Sequence, residues 1–232
     1  MILNLSGELI PDDWAELYRR YNYSAGFYCP MDVRNAIKAL QPGEELTLDV
    51  NSIGGYVDAA AEIYSLIEST KNPTRAVIQG LAASAASYMI QSCDRVEIHL
   101  PAQMMIHLAS SGARGNKHAF ERAYQMLDSS DRSILSVYVR KSAGKADAAT
   151  LERLMENETY LTSTDALAYG LVDAVIGAEP DGGAPMVAAS AFNNTVRAMR
   201  TLPDIQDLIA LDASETAARL REDLEAEKNR YK

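Results

Sequence analysis

Residues 45–69 read ELTLDVNSIGGYVDAAAEIYSLIES and combine three structural signals in one stretch. Apolar and polar residues alternate from Glu45 to Val50, which is the pattern of a β-strand. The run from Asn51 to Gly55 indicates a tight turn because it contains two adjacent glycines. From Val57 to Ser69 the apolar residues return at helical spacing. The stretch therefore predicts a strand, a turn and a helix in succession.

The same succession repeats along the chain. The predicted elements are a helix over 31–40, a strand over 74–78, a small-residue turn over 80–87 that leads into a helix ending near Gln91, and strands over 95–99 and 104–107. Strand–turn–helix units in series form a mostly parallel sheet with right-handed crossovers. Such sheets carry their functional groups at the carboxyl ends of the strands, where both small-residue turns are predicted to lie.

The flanking sequence extends this α/β domain to residues 1–178. An opening strand over 2–10 precedes a tyrosine-rich segment, 11–30, which is predicted to be irregular. A short helix over 151–155, a strand and helix over 160–170 and a strand over 171–176 close the domain. A long amphipathic helix is predicted over 116–143, with an inner stripe formed by Phe120, Ala123, Met126, Leu127, Ile134 and Leu135.

The C-terminal part of the chain has a different composition. Residues 179–190 are rich in proline and glycine and are predicted to be a linker. Residues 191–232 are alanine-rich and then highly charged, which indicates a helical or partly disordered tail.

Composition excludes several classes of protein. Hydrophobic residues make up 47% of the 232 residues, so the chain as a whole is not intrinsically disordered. The net charge of −10 opposes binding to nucleic acid, and no window is apolar enough to span a membrane. Cys29 and Cys93 form no metal-binding pattern, and the N-terminus does not resemble a signal peptide. We therefore expect a cytoplasmic protein without a metal or other cofactor.

A few residues could carry nucleophilic chemistry. A serine hydrolase needs a nucleophile, a base, an acid and backbone donors for the oxyanion. Ser84 lies in the small-residue turn before a helix, whose N-terminus carries partial positive charge. Of the three histidines, His107 ends an apolar strand, whereas His99 and His118 are most simply edge and surface residues. Taken alone, Ser84 also fits close packing and His107 also fits a structural role.

Ser84 and His107 each lie in one of four sequence motifs that follow one another along the chain. They are Asn51-Ser-Ile-Gly-Gly-Tyr-Val57, Gly80-Leu-Ala-Ala-Ser-Ala-Ala86, Met104-Met-Ile-His107 and the segment 159–173. With them, residues 1–178 resemble the proteolytic-subunit (ClpP) family of Clp proteases, and within it the phage-encoded head-maturation branch. The resemblance implies a spiral of ββα units with a mostly parallel sheet, shared with the crotonases; the helical C-terminal extension is indicated by composition alone.

The resemblance also implies roles for individual residues. Ser84 corresponds to the nucleophile and His107 to the general base of a Ser–His–acid triad. Glu158 corresponds to the acid, where the family usually has aspartate; Glu156 and a purely structural Glu158 remain the alternatives. The oxyanion hole corresponds to the backbone N–H groups of Gly55 and Ala85. The residues implied in substrate binding are Gly54, Leu108, Ser110, Ser111 and Gly112.

Two departures from the family pattern concern backbone order. Ile53 and Ala109 stand where the family has proline, which fixes φ and stiffens a turn. Their presence leaves open how well the oxyanion turn and the substrate segment are ordered before substrate binds. Residues 110–116 correspond to the strand and turn that, in the family, bind substrate by strand addition and join rings. Arg114 is a candidate for an ion pair there, or simply an exposed arginine.

The implied activity is that of a serine endopeptidase acting on unfolded or extended polypeptide, or on phage capsid or scaffold proteins. The implied assembly is a homo-oligomeric ring, a heptamer or a double heptamer. The chain has no P-loop, so any unfolding of substrates would need a partner such as a Clp-type ATPase. The alternatives are a catalytically impaired scaffold subunit and a crotonase-type acyl-CoA hydratase or isomerase. The latter requires a carboxylate near the oxyanion glycines and no Ser–His pair.

Overall fold

The computed structural model describes residues 1–23 and 26–178, together with residues 206, 207, 209, 210 and 213, which are helical. The predicted linker over 179–190 and most of the predicted tail over 191–232 lie outside the described residues, so this division of the chain stays a prediction. No helix among the described residues has both the length and the apolar character needed to cross a bilayer.

Strands and helices alternate through the described part of the chain. The strands are β1 (Ile2–Leu9), β2 (Phe27–Tyr28), β3 (Leu46–Gly55), β4 (Thr74–Ala83), β5 (Arg95–His99), β6 (Gln103–Ile106), β7 (Thr159–Thr162) and β8 (Ala174–Ile176). The helices are α1 (Asp12–Arg20), α2 (Pro30–Ala39), α3 (Val57–Ser69), α4 (Ala85–Met89), α5 (Lys117–Ser142), α6 (Ala148–Glu156) and α7 (Ser163–Ala168). A short 3-10 helix, Ile90–Ser92, follows α4.

The strands form one sheet in the order β2-β1-β3-β4-β5-β8, in which every neighbouring pair is parallel. β6 lies off this path, where it pairs in parallel with β4 and antiparallel with β7. Buried aliphatic side chains from the strands and helices form the main core. The α/β class with a mostly parallel sheet is confirmed.

β4 changes its partner along its length. Residues 75–78 pair with β5, whereas residues 81–83 pair with β6. Both faces of the second half are buried, because Ala82 joins the main core while Leu81 and Ala83 pack with Met105 in a separate cluster. The ends of β4 and β6 therefore lie side by side, just before Ser84 and His107.

The segment 51–55 and the first half of the segment 80–87, both predicted as turns, are strand residues instead. β3 continues past Val50 to Gly55, and β4 continues past Ile78 to Ala83. Pairing sustains them, because β3 resumes its ladder with β1 after a register shift and β4 finds a new partner in β6. Local sequence does not reveal pairing of this kind, since strand formation depends on neighbours.

The segment 11–30, predicted to be irregular, contains α1 and β2. Acidic residues in the first turn of α1 and basic residues in its last turn complement the helix dipole. Ala15 and Tyr18 of α1 pack with Phe27 of β2 in a small second core. Trp14 and Tyr21 pack against this core, whereas Tyr28 joins the main core and Tyr23 is 42% exposed.

Helix α5 lacks the continuous inner stripe that was predicted for it. Ile134 is buried, but Phe120 and Met126 are each 54% exposed, and Tyr124 between them is 71% exposed. The second half of the helix packs on the core, whereas the first half has no core to cover it within the described residues. The helical spacing of apolar residues therefore predicts that α5 has an apolar face, but it does not predict whether that face is buried.

Candidate active site

Ser84 lies at the junction between β4 and α4, where it is the N-cap residue of the helix. Its backbone has φ 54° and ψ −127°, a strained combination for a residue with a side chain. Its backbone N–H donates a hydrogen bond to the carbonyl oxygen of Met105 on β6, 2.9 Å away. The residues on either side are buried, whereas Ser84 is half-buried. The turn therefore leaves Ser84 partly accessible to solvent while the residues on either side of it are buried.

His107 reaches Ser84 from the neighbouring strand. The His107 Nε2 atom lies 2.7 Å from the Ser84 Oγ atom. The contact follows from the sheet, because Ala83 and Met105 are register partners in the parallel β4–β6 ladder. A neutral imidazole at this distance can accept the hydroxyl proton, which is the arrangement of a nucleophile and its general base.

Glu158 directly precedes β7, whose first residue, Thr159, is the register partner of Ile106 in the antiparallel β6–β7 ladder. The Glu158 backbone has φ 48° and its side chain is exposed. Burial, and after it the negative charge of Glu158, raises the pKa of Tyr160. Glu156 is exposed at the end of α6. Within the described residues, His107 is hydrogen-bonded to Ser84 and neither glutamate is hydrogen-bonded to His107.

Gly54 and Gly55 bring the end of β3 against the Ser84 turn. At Gly54, which has φ 90°, a Cβ atom would lie 2.5 Å from the Ala83 carbonyl oxygen and 2.8 Å from the Ala85 nitrogen. At Gly55, which has φ 152°, a Cβ atom would lie 1.9 Å from a carbonyl oxygen of β1. Ala85 opens α4, so its N–H has no acceptor within the helix. The predicted oxyanion donors, Gly55 and Ala85, thus lie on two segments that meet beside Ser84.

Ser52 holds the glycine turn that lacks a proline. The Ser52 Oγ atom lies 2.7 Å from the Gly7 carbonyl oxygen, 2.9 Å from the Tyr28 hydroxyl and 3.1 Å from the Gly54 nitrogen. A carbonyl can only accept, so Ser52 donates its single proton to Gly7 and accepts from the other two groups. These bonds order the turn that Ile53 would otherwise leave loose. The role of the two hydroxyl groups could not be predicted from sequence, because Tyr28 is distant in sequence from Ser52.

The segment that follows His107 has no regular secondary structure over residues 108–114. The predicted strand is therefore not observed, because the segment has no ladder partner among the described residues. Its start is anchored by two hydrogen bonds. The Leu108 N–H donates to the Met155 carbonyl over 3.2 Å, and the Ala109 N–H donates to Asp131 Oδ1 over 2.6 Å. The second bond orders a position where the family has a proline.

A cleft of about 840 Å³ leads towards Ser84. Gly55 and Tyr56 line it together with Ser110, Ser111 and Gly112. The cleft shares four lining residues with a narrow pocket that contains Ser84, Ala85 and His107; they are Val57, Tyr88, Ala109 and Ile134. Three of the predicted substrate-binding residues thus line a groove that ends at the Ser–His pair. Leu108 lines a separate hollow of about 380 Å³ between α5 and α6.

The charged side chains that line the cleft, among the described residues, are Glu8 and Asp58. Burial raises the pKa of Glu8. Burial, with the charges of Glu8 and Asp58, raises the pKa of Tyr56. The cleft is therefore acidic where Glu8 lines it. The four residues that it shares with the narrow pocket at Ser84 are largely apolar.

Neither cysteine of the chain is a plausible competitor to Ser84. Cys29 and Cys93 are both buried free thiols. Burial raises the pKa of each to about 12, so both are protonated at neutral pH and unreactive as nucleophiles. Neither lines the cleft or the narrow pocket. Ser84, by contrast, lines the narrow pocket together with His107.

Comparison with known families agrees with this geometry. The family described as Clp protease matches residues 35–179, which is more than half of the chain and includes Ser84, His107 and Glu158. The matched region also contains the β4–β6 pair and the end of β3, which build the site. The chain therefore belongs to the Clp protease family and is a member of a family of peptidases.

Proposed function

We propose that the protein is a serine endopeptidase in which Ser84 is the nucleophile and His107 is the general base. The observation that carries the proposal is the 2.7 Å separation between Ser84 Oγ and His107 Nε2. A free serine hydroxyl is a weak nucleophile, and an adjacent imidazole activates it by taking its proton. The strained turn at Ser84 supports the same reading, because backbone strain of this kind clusters at active sites.

The proposed reaction proceeds through an acyl-enzyme. Ser84 Oγ attacks the carbonyl carbon of the scissile peptide bond while its proton passes to His107 Nε2. The substrate oxygen becomes an oxyanion that accepts hydrogen bonds from the N–H groups of Gly55 and Ala85. The C–N bond then breaks, and His107 gives its proton to the leaving amine. Water, deprotonated by His107, hydrolyses the ester and releases Ser84.

The proposed substrate is unfolded or extended polypeptide. Residues 110–112 are exposed along the cleft and have no ladder partner among the described residues, so an extended chain can add to them as a strand. Gly54 offers a side-chain-free backbone beside the nucleophile, and Leu108 holds the start of the substrate segment. The narrow pocket at Ser84 favours an extended chain over a folded surface.

The proposed setting is a homo-oligomeric ring that processes phage capsid or scaffold proteins. The exposed apolar side chains on the first half of α5 support self-association, because exposed apolar patches mark interaction sites. Similarity to the phage-encoded branch, which includes Glu158-Thr159-Tyr160, supports substrates related to head assembly. A Clp-type ATPase is the proposed partner for substrates that need unfolding.

The alternatives differ from this proposal at the site. A crotonase-type enzyme needs a carboxylate at the oxyanion glycines and no Ser–His pair. Glu8 does line the cleft together with Gly55. The hydrogen bond between Ser84 and His107 nevertheless favours the peptidase. A scaffold subunit that keeps the fold is the second candidate. The observation in its favour is the exposed Glu158 carboxylate, which is not hydrogen-bonded to His107 among the described residues.

Replacing Glu158 with glutamine tests whether Glu158 is the triad acid. The change removes the charge at nearly constant size, so the imidazolium formed during attack loses its counter-charge. We expect kcat to fall by about 100-fold or more, and Glu158→Asp to retain more activity. Hydrolysis of fluorescein-labelled casein measures both. Glu156→Gln makes the same change at the rival acid and should behave as wild type; a larger loss in Glu156→Gln than in Glu158→Gln would assign the acid to Glu156. Equal, small effects of the two glutamine variants would show that Glu158 is not the acid.

Covalent labelling tests the proposed function directly. The purified protein in its native assembly is treated with a fluorophosphonate probe, and the adduct is mapped by mass spectrometry. We expect phosphonylation of Ser84, because its activated oxygen attacks phosphorus and displaces fluoride. An unlabelled protein would overturn the proposal and favour the scaffold subunit.

A further inference from the structure

Ser87 lies one helical turn after Ser84 and contacts three elements of the site. The Ser87 Oγ atom lies 2.7 Å from the Ser84 carbonyl oxygen, 3.1 Å from the Met105 carbonyl oxygen and 2.7 Å from the Tyr138 hydroxyl. Ser87 is 0% exposed and Tyr138 is 1% exposed. Three hydrogen-bonding groups from α4, β6 and α5 therefore meet at one buried hydroxyl directly behind Ser84.

Proton counting fixes the direction of these bonds. Ser87 has one proton, and the carbonyl oxygens of Ser84 and Met105 can only accept. The described residues offer the Tyr138 hydroxyl one partner, Ser87, and burial raises the pKa of Tyr138, which keeps it protonated. Tyr138 therefore donates to Ser87, and Ser87 donates to Ser84, with Met105 as the longer second acceptor. Each bond in such a chain strengthens the next.

The two carbonyl groups at the end of this chain belong to the residues that set the nucleophile and the base. Ser84 has a positive φ, a strained conformation that persists only where the surroundings hold it. Met105 accepts the Ser84 N–H and lies two residues before His107. A shift of Ser87 would therefore move the Ser84 turn relative to the strand that carries His107.

We propose that Ser87 and Tyr138 are positioning residues that hold Ser84 and His107 in reacting alignment and couple that alignment to helix α5. This inference rests on the proposed peptidase function. Tyr138 lines the narrow pocket of Ser84 and His107, but Ser87 and Tyr138 are at most 1% exposed, so the loss of their hydroxyl groups acts on the chemical step rather than on substrate binding. The coupling also explains why a tyrosine, rather than an aliphatic residue, occupies a fully buried position on α5: its hydroxyl completes the chain to Ser84.

The test compares Ser87→Ala, Tyr138→Phe and the double variant with wild type. Active sites are titrated with the fluorophosphonate probe, and kcat and KM for casein are measured together with Tm. We expect Ser87→Ala to lower kcat by about 10- to 100-fold with little change in KM, because misalignment of reacting groups is costly. Tyr138→Phe should lower kcat less, since Ser87 keeps its own proton for the Ser84 carbonyl.

Measuring Tm alongside kcat distinguishes a positioning role for Ser87 and Tyr138 from a purely structural role. Ser87→Ala leaves the buried Tyr138 hydroxyl without an acceptor, so Tm should fall. The double variant also removes the Tyr138 hydroxyl, so no buried hydroxyl is left unpaired. Tm should therefore recover while kcat stays low. Ser163→Ala is the matched control, because Ser163 is a buried serine whose hydroxyl bonds the Leu100 carbonyl away from the site. It should lower Tm and leave kcat unchanged.

Three outcomes would overturn the inference. If Ser87→Ala keeps kcat within about twofold of wild type, Ser87 does not position the site. If kcat recovers together with Tm in the double variant, the effect is structural. Should Ser87→Ala fail to fold, an unchanged kcat in Tyr138→Phe would overturn it. In each case wild type still labels at Ser84, whereas an unlabelled wild type would overturn the proposed function and this inference with it.

Discussion

Replacing Ser84 with alanine is expected to lower kcat for casein by at least about 10⁴-fold, because alanine has no oxygen that can form the acyl-enzyme. The fold should be unaffected. The Ser84 side chain is half-buried and its hydroxyl is hydrogen-bonded to His107, so alanine leaves no buried group without a partner. Both residues carry a Cβ atom, so the strain of the positive φ is the same in each. Tm and circular dichroism should therefore match wild type while the fluorophosphonate adduct disappears.

The matched control for this variant is Ser65→Ala. Ser65 lies on the exposed face of α3, where its hydroxyl bonds a carbonyl of its own helix. Its loss should leave hydrolysis and labelling at wild-type values. Hydrolysis by Ser84→Ala at the wild-type rate, from protein freed of host peptidases, would instead show that another residue is the nucleophile.

The order of strands and helices could be predicted because each unit carries its own periodicity. The run ELTLDVNSIGGYVDAAAEIYSLIES changes from a period of two to a helical period within a few residues. The small-residue turns marked the carboxyl ends of β3 and β4, and the structure brings Gly54 and Ser84 together there. The Ser84–His107 contact follows from the pairing of β4 with β6. Local sequence did not predict that pairing, and the contact was expected only from the resemblance to a family.

Features that depend on tertiary contacts could not be predicted in this way. The second half of β4 is a strand because β6 lies beside it, and that pairing is not encoded in the local spacing. Helix α5 has apolar residues at helical spacing along its length, yet within the part of the chain that the structure describes its second half is covered and its first half is not. Ser87 stands in a run of alanines and serines that gives little indication of its role, since that role depends on Tyr138, which is distant in sequence. The i, i+3 spacing from Ser84 was the one local signal.

Replacing His107 with alanine is expected to lower both kcat and the rate of fluorophosphonate labelling by at least about 10⁴-fold. Without the imidazole, the Ser84 proton has no acceptor at 2.7 Å, so attack requires hydroxide or water as the base. Residual hydrolysis should therefore rise with pH in the variant, in proportion to hydroxide, up to the point at which the protein unfolds. Hydrolysis and labelling are followed over the same pH range in wild type and variant.

The control for this prediction is His118→Ala, because His118 is exposed on α5 and pairs with Glu121 on the same helix. That variant should keep the wild-type rates at every pH. Substrate binding should survive in His107→Ala, since the cleft is lined by residues 110–112 and by the β3 end rather than by the imidazole. A variant that binds casein but labels slowly would separate base catalysis from binding. Labelling at the wild-type rate would mean that Ser84 is activated by a different group, and the acid–base roles at this site would have to be reassigned.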